Sequence, residues 1–251
     1  MKVAVIVFPG TNSETETRDA CAAAGLDAVC FHWSMPPESL RAFDAYVLAG
    51  GFAYEDRVRA GAIAAKSSIV AVVTDESRRG KLVLGICNGA QVLAESGVLG
   101  EIAIARNLPS RRFECRFVDV TVDGRPERCA FTAGLQLGTR LRMVMAHAEG
   151  RFRAEPEVFD RLEREGRIVL RYAGETPNGS MHGAAGVCNA EGNVLALMPH
   201  PERASWAYNL AFADAGLRPG NPNRTVGAHA LFGCMYASLG GLRTESKPAA
   251  C

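Results

Sequence analysis

The stretch Lys81-Leu82-Val83-Leu84-Gly85-Ile86-Cys87-Asn88-Gly89-Ala90-Gln91 constrains this chain more than any other segment. An apolar run, the pattern of a parallel strand covered on both faces, ends in Gly-x-Cys-x-Gly and passes at once into helical spacing. Glycines on either side of one residue permit a tight strand-to-helix turn that holds the central side chain up at the end of the strand. The residue so displayed is Cys87, beside a helix N-terminus whose field favours a thiolate. The same spacing also fits a cysteine buried between two packing glycines. A nucleophile there needs a base elsewhere in the chain.

Around this strand the first half alternates strand and helix. Residues 3–8 form a continuous apolar run that Pro9-Gly10 breaks. Ser13-Glu14-Thr15-Glu16 has the pattern of a capping box, opening a helix that Gly25 closes. Residues 28–31 and 44–49 read as further strands, the latter ending in Gly50-Gly51. Residues 67–79 carry Ile69, Val72 and Val73 at helical spacing, and residues 90–96 form the helix after the elbow, closed by Gly97. This βαβα order predicts an α/β fold: an open, mostly parallel twisted sheet flanked by helices.

The second half predicts additional antiparallel strands. Residues 113–122 and 137–146 are strand-like. In the first of these the inward phase changes between Phe117 and Val118, as at a bulge or in a strand buried on both faces. Residues 168–172 form another strand, and 186–198 a hairpin around Asn189-Ala190-Glu191-Gly192-Asn193. Residues 226–239 return to helical spacing. With no internal repeat or linker, residues 1–242 are expected to form a single domain and 243–251 a frayed C-terminal tail.

Composition narrows the partners. A chain of 251 residues with 48% hydrophobic content has enough apolar surface for one large core. Its 28 basic and 27 acidic residues are intermixed and leave a net charge of +1, so no nucleic-acid or membrane-surface footprint is expected. No apolar run approaches the roughly 20 residues of a membrane span. The opening segment is too short for a signal peptide, and a cytoplasmic location with reduced thiols is predicted. None of the 8 cysteines forms a C-x-x-C pair, so no metal site is expected. Cys30, Cys115 and Cys188 sit in strand-like runs and are expected to pack as small hydrophobes.

Among the five histidines, His200 stands apart. His32 and His229 read as structural or exposed, while His147 and His182 lie in turn-like segments. His200 follows the apolar run 194–198 in Pro199-His200-Pro201-Glu202, where two prolines fix the backbone. Glu202 is placed to orient the imidazole and set its tautomer. Alone, this segment also fits a rigid surface turn. With Cys87 it completes a triad of nucleophile, base and orienting carboxylate. An oxyanion hole would draw one N–H from Gly51 or its neighbour, after a strand, and another from Asn88, just after the nucleophile. An ordinary glycine turn is the alternative at Gly50-Gly51.

Gly85-Ile86-Cys87-Asn88-Gly89 together with Pro199-His200-Pro201-Glu202 resembles the class I (triad) glutamine amidotransferases. Further stretches narrow the resemblance: Gly50-Gly51-Phe52-Ala53-Tyr54 with Arg59-Ala60-Gly61-Ala62, Arg106-Asn107, Phe113-Glu114-Cys115-Arg116, Ala146-His147-Ala148-Glu149-Gly150-Arg151, and Pro177-Asn178-Gly179-Ser180. Together they look like the glutaminase subunits of phosphoribosylformylglycinamidine synthases, over residues 3 to about 204. The resemblance implies that glutamine is the substrate and that Cys87, His200 and Glu202 are catalytic. It also implies oxyanion donors at Gly51 and Asn88, and that Phe52 and Gln91 contact substrate. His147 and Glu149 would position glutamine or the interface. It implies as well that ammonia passes to a large ATP-dependent synthetase subunit, accompanied by a small accessory subunit. ATP and magnesium belong to that partner, and this chain carries no cofactor and no Gly-x-x-x-x-Gly-Lys loop.

Two departures lie close to the site: Glu55 stands where the family has a small residue, and Ala90 where it has phenylalanine. Residues 205–225, with Trp206, Tyr208 and Phe212, are an extra stretch that serves as a rim element, a partner contact or an inert insertion. Three other readings stand beside the main one: a triad glutaminase of the same fold serving a different synthetase, a free cysteine hydrolase, and a non-catalytic scaffold that keeps the fold.

Overall fold

The structure, a computed structural model, describes residues 1–210 and 221–240. The alternation expected of the first half is present: β1 (Lys2–Val7), α1 (Glu14–Ala23), β2 (Asp27–His32), β3 (Ala45–Leu48), α2 (Ser68–Arg78), β4 (Leu82–Ile86) and α3 (Asn88–Ser96). The second half adds β5 (Ala103–Arg106), β6 (Glu114–Val122), β7 (Arg140–His147), β8 (Glu149–Arg153), α4 (Pro156–Arg164), β9 (Ile168–Tyr172), β10 (Ala184–Cys188), β11 (Val194–Leu197), α5 (Ala207–Leu210) and α6 (Ala230–Ser238).

Nine strands form one sheet in the order β2-β1-β3-β4-β11-β10-β9-β6-β7, and β5 pairs with β8 in a separate antiparallel ribbon. The pairings from β2 through β11 are parallel and those from β11 through β7 antiparallel. Strands β3, β4, β10 and β11 are buried along their whole length, which is why they read as unbroken apolar runs.

One pairing decides the function of the fold. β11 lies parallel to β4 with Leu197 opposite Ile86, and the Cys87 N–H donates to Leu197 O at 2.8 Å. The two strands therefore end together, and the segment after β11 emerges beside the segment after β4. Ligand sites of open α/β sheets lie outside the C-terminal ends of the parallel strands, as here.

Several local expectations are corrected. Ser13 precedes α1, but its hydroxyl caps no helical N–H; it accepts from Arg203 Nη2 at 2.6 Å, so no capping box forms. Ser67, by contrast, caps α2 by accepting from the Val70 N–H at 3.3 Å. The register of β6 on β7 runs unbroken from Glu114–His147 to Thr121–Arg140, so there is no bulge at Phe117. Phe117 instead lies on the solvent side with the Arg142 guanidinium 5.6 Å from its ring. Cys188 is buried as expected, but Cys30 and Cys115 are exposed, because β2 is an edge strand and the start of β6 faces outward. His147 is the last residue of β7 rather than part of a turn.

The ribbon β5–β8 and helix α4 lie outside the sequence expectations. In the 205–225 stretch, Trp206 bridges to Thr225 and stacks on Tyr208 at 6.0 Å. Phe212 and the tail expected at 243–251 lie outside the described residues. No helix among the described residues is long and apolar enough to cross a membrane.

Candidate active site

Cys87 occupies φ 50°, ψ −106°, a conformation that strains a residue with a Cβ and marks a nucleophile elbow. Its flanking glycines are dictated by packing. A Cβ on Gly89 would lie 1.9 Å from Leu48 O, and one on Gly85 would lie 2.7 Å from Gly89 O. Helix α3 thus starts pressed against the end of β3. Gly89→Ala is expected to displace α3 and destabilise the fold by about 2–3 kcal/mol, read as a lowered denaturant midpoint at unchanged slope. A variant as stable as the parent would contradict this packing.

Beside the elbow stands His200, which is 2% exposed, and behind it Glu202, which is 0% exposed. His200 Nδ1 and Glu202 Oε1 are 2.5 Å apart, leaving Nε2 for the thiol side. The backbone of His200 is pinned by its N–H donating to Val144 O at 2.7 Å. The ring packs against the loop after β3, so a Cβ on Gly50 would meet His200 Cε1 at 2.6 Å. The Cys87 thiol donates to Ala146 O at 3.6 Å. Burial alone would lower the proton affinity of His200, but Glu202 and Cys87 outweigh it and push its pKa up to about 10. The ring is an imidazolium at neutral pH, a counter-ion for a thiolate.

The loop after β3 lies across the elbow. Its Phe52 N–H donates to Gly10 O and its Ala53 N–H to Asn88 Oδ1, each at 2.9 Å. The Gly51 and Asn88 N–H groups have no acceptor among the described residues. Gly51, at φ +152°, is pressed onto the 10–12 segment, where a Cβ would lie 2.6 Å from Thr11 Cα. The Asn88 amide Nδ2 also donates to Asp56 Oδ1 at 3.1 Å and to Gln91 Oε1 at 2.9 Å, tying the loop to α3. Tyr54, Glu55, Asp56 and Val58 all have positive φ, with Glu55 at 59°. That accounts for the small residue of the family pattern: a side chain at this position strains the loop. Ala90, the other departure, is fully buried in α3.

The residues expected to contact substrate gather on one side of Cys87. Gln91 Nε2 donates to Glu149 O at 2.5 Å. His147 is buried, with Nδ1 3.1 Å from Asn107 Oδ1, while its Nε2 has no partner among the described residues. Burial and then the charge of His200 push His147 down to about 3, so it is neutral. Phe52 is exposed and lies against Phe113 at 6.3 Å, forming the rim. Two residues of this cluster were not assigned roles from sequence. Asp56, pushed up to about 6 by burial and by Glu149, lines the same cavity as Gln91 and Glu149. Asn107 holds both the His147 ring and the Gly150 N–H, the latter at 3.1 Å. Asp56 carried a signal in its place within the Gly-Gly stretch; Asn107 carried one only as part of a motif.

The remaining histidines are elsewhere: His32 pairs with Ser34 at 2.7 Å, His182 with Glu163 at 2.9 Å, and buried His229 with Ala20 O at 3.0 Å.

A cysteine elbow at the end of a parallel strand, facing a buried His–Glu pair, is the arrangement expected of a glutamine amidotransferase. The chain belongs to the CobB/CobQ-like glutamine amidotransferase domain family, which it matches over residues 1–224. Within that class it belongs with the PurQ subunits of phosphoribosylformylglycinamidine synthase. It is 42% identical to that subunit from Methanothrix thermoacetophila over 249 residues, covering 90% of this chain and 95% of the relative. It is 43% identical over 211 residues to the subunit from Thermus thermophilus, covering 81% of this chain and 90% of the relative. Among solved structures it matches a chain of PurLQS from Thermotoga maritima with a TM-score of 0.78 and 32% identity, covering 95% of this chain and 98% of that one.

Proposed function

We propose that this chain is the glutaminase subunit of a phosphoribosylformylglycinamidine synthase, releasing ammonia from glutamine for an ATP-dependent synthetase subunit. The observation that carries the reading is Cys87 at a strained elbow, facing a buried imidazolium held 2.5 Å from Glu202. The thiolate of Cys87 attacks the side-chain amide carbon of glutamine, and the developing oxyanion is received by the Gly51 and Asn88 N–H groups. His200 gives its proton to the amide nitrogen, the C–N bond breaks, and ammonia leaves a glutamyl thioester on Cys87. Water then attacks the thioester, His200 taking its proton, and glutamate is released.

The relatives' shared name supports phosphoribosylformylglycinamidine synthase over another synthetase. The synthetase uses ammonia to convert formylglycinamide ribonucleotide to its amidine. ATP and magnesium are placed on that partner, a small accessory subunit completes the complex, and the setting is the cytoplasm.

Glutamate release by the isolated chain is expected to be slow and to rise about tenfold or more when the chain is assembled with its synthetase subunits. Fast glutamine hydrolysis by the isolated chain, unaltered by assembly, would overturn the coupled reading.

A further inference from the structure

The guanidinium of Arg203 lies between the triad and the segment that supports the loop after β3. Its Nη2 donates to Ser13 Oγ at 2.6 Å and to Asn12 Oδ1 at 3.1 Å. Its Nε lies 3.9 Å from Glu202 Oε1, is buried, and donates to no group among the described residues. Arg203 is thus drawn to Glu202 by charge while its hydrogen bonds go to the 12–13 segment. This also accounts for the missing cap of α1, because the Ser13 hydroxyl serves Arg203 instead.

The 12–13 segment in turn holds one peptide of the loop. The Asn12 and Ser13 N–H groups both donate to Gly50 O, each at 3.2 Å. Gly50 O and the Gly51 N–H belong to the same planar peptide, so fixing the carbonyl fixes the direction of the N–H. Neither glycine carries a Cβ to restrict rotation of that peptide, so its orientation has to be set from outside.

The direction can be read from the pairing. Thr11 bridges Gly51 in the antiparallel sense, between the bonds from Asn12 N–H to Gly50 O and from Phe52 N–H to Gly10 O. The central residues of such a pair exchange no hydrogen bonds, and their N–H groups point away from each other. The Gly51 N–H is therefore turned out of the 10–12 segment, and Gly51 and Cys87 wall the same cavity, which Arg203 and Asn12 also line.

We propose that Arg203 is a positioning residue for the oxyanion hole. It locks the 12–13 segment and, through Gly50 O, the Gly51 N–H, in register with the triad. Arg203 follows Glu202 directly in one short turn, so a single segment delivers both the orienting carboxylate and the clamp on the donor loop. The role rests on the glutaminase reading and adds a residue to it.

The test uses the assembled complex and compares two reactions of one thiol. Glutamine passes through a tetrahedral oxyanion. Alkylation of Cys87 by iodoacetamide displaces iodide from a methylene carbon and needs only the thiolate. Arg203→Met keeps much of the apolar stem and removes the donors. It is expected to lower kcat for glutamate release by about tenfold or more, since deleting one oxyanion donor costs roughly 10²–10³-fold and here the donor is displaced. KM for glutamine should stay that of the parent. So should the rate and pH profile of Cys87 alkylation, read on the Cys87 peptide by mass spectrometry. Arg203→Lys puts one compact cation in place of the fork and should recover part of the loss. Ser13→Ala should lower kcat severalfold with alkylation unchanged, and should add little to Arg203→Met because both act on one link. It carries the test alone if Arg203→Met does not assemble.

Parent-level turnover in Arg203→Met would overturn the role, as would the same result in Ser13→Ala. A parallel fall in alkylation, or a shift in its pH profile, would also overturn it, by placing Arg203 behind His200 and the thiolate instead. A parent complex that is alkylated at Cys87 but releases no glutamate would strike the glutaminase reading beneath it.

Discussion

Cys87→Ala is expected to lower glutamine-dependent amidine synthesis by the assembled complex by about 10⁴-fold or more, while synthesis from added ammonium salt is retained. The thiol is the one group on the elbow able to form the glutamyl bond. No neighbour replaces it: Gly85 and Gly89 present no side chain, and Asn88 is spent on the oxyanion loop and Gln91. Alanine fits the elbow without new contacts, so a loss of activity reports chemistry rather than packing. Ammonia-dependent synthesis serves as the internal control, because it needs the partner's site and an intact complex but not this nucleophile. Loss of both activities in a correctly assembled variant would break the proposed division of labour between the subunits. The same variant should resist labelling by a glutamine-analogue electrophile that modifies the parent.

Glu202→Gln is expected to cost about 10³–10⁴-fold in glutamine-dependent turnover with little change in fold, since the two side chains are nearly isosteric. Its carboxylate fixes the His200 tautomer and holds the imidazolium in a site that is 0% exposed at Glu202 and 2% exposed at His200. Removing the charge leaves only Cys87 to oppose burial, and His200 becomes a weaker base.

The effect has a second readout in stability. His200 has its folded pKa raised from 6.5 to about 10. The stabilisation from the bound proton is therefore full below about 6.5 and is lost as pH rises towards 10. The parent should lose stability across that alkaline interval, and Glu202→Gln should lose less of it. A merely structural glutamate would not change this slope, so equal slopes in parent and variant would refute the role given to Glu202.

Much of this was legible along the chain, for reasons that are local. The Gly85-Ile86-Cys87-Asn88-Gly89 segment declares a strand, a strained turn and a helix within a dozen residues, because backbone sterics act at short range. The fully buried strands β3, β4, β10 and β11 announce themselves by continuous apolar composition. Patterns that depend on a distant partner misled. Ser13 has the residue type of a helix cap, yet its hydroxyl is taken by Arg203, 190 residues away. Cys115 sits in a strand-like run, but exposure at that strand end is set by neighbours, not by the strand. In the ribbon, β5 is too short and irregular in burial to show a period of two, and β8 alternates over only five residues with Gly150 at one inward position.

What the sequence by itself determined is the inventory of the site: a displayed thiol at Cys87, a proline-bracketed His200 with Glu202 two residues on, and a glycine pair after a strand. Each follows from residue type and near-neighbour geometry. Only the tertiary structure decided that these meet. The parallel pairing of β11 on β4 brings Leu197 beside Ile86 and so carries His200 across more than a hundred residues to Cys87. The same packing brings Arg203 back onto Asn12 and Ser13, and so ties the loop after β3 to the triad. Such a tie is set by long-range strand order and burial, which local preference does not encode.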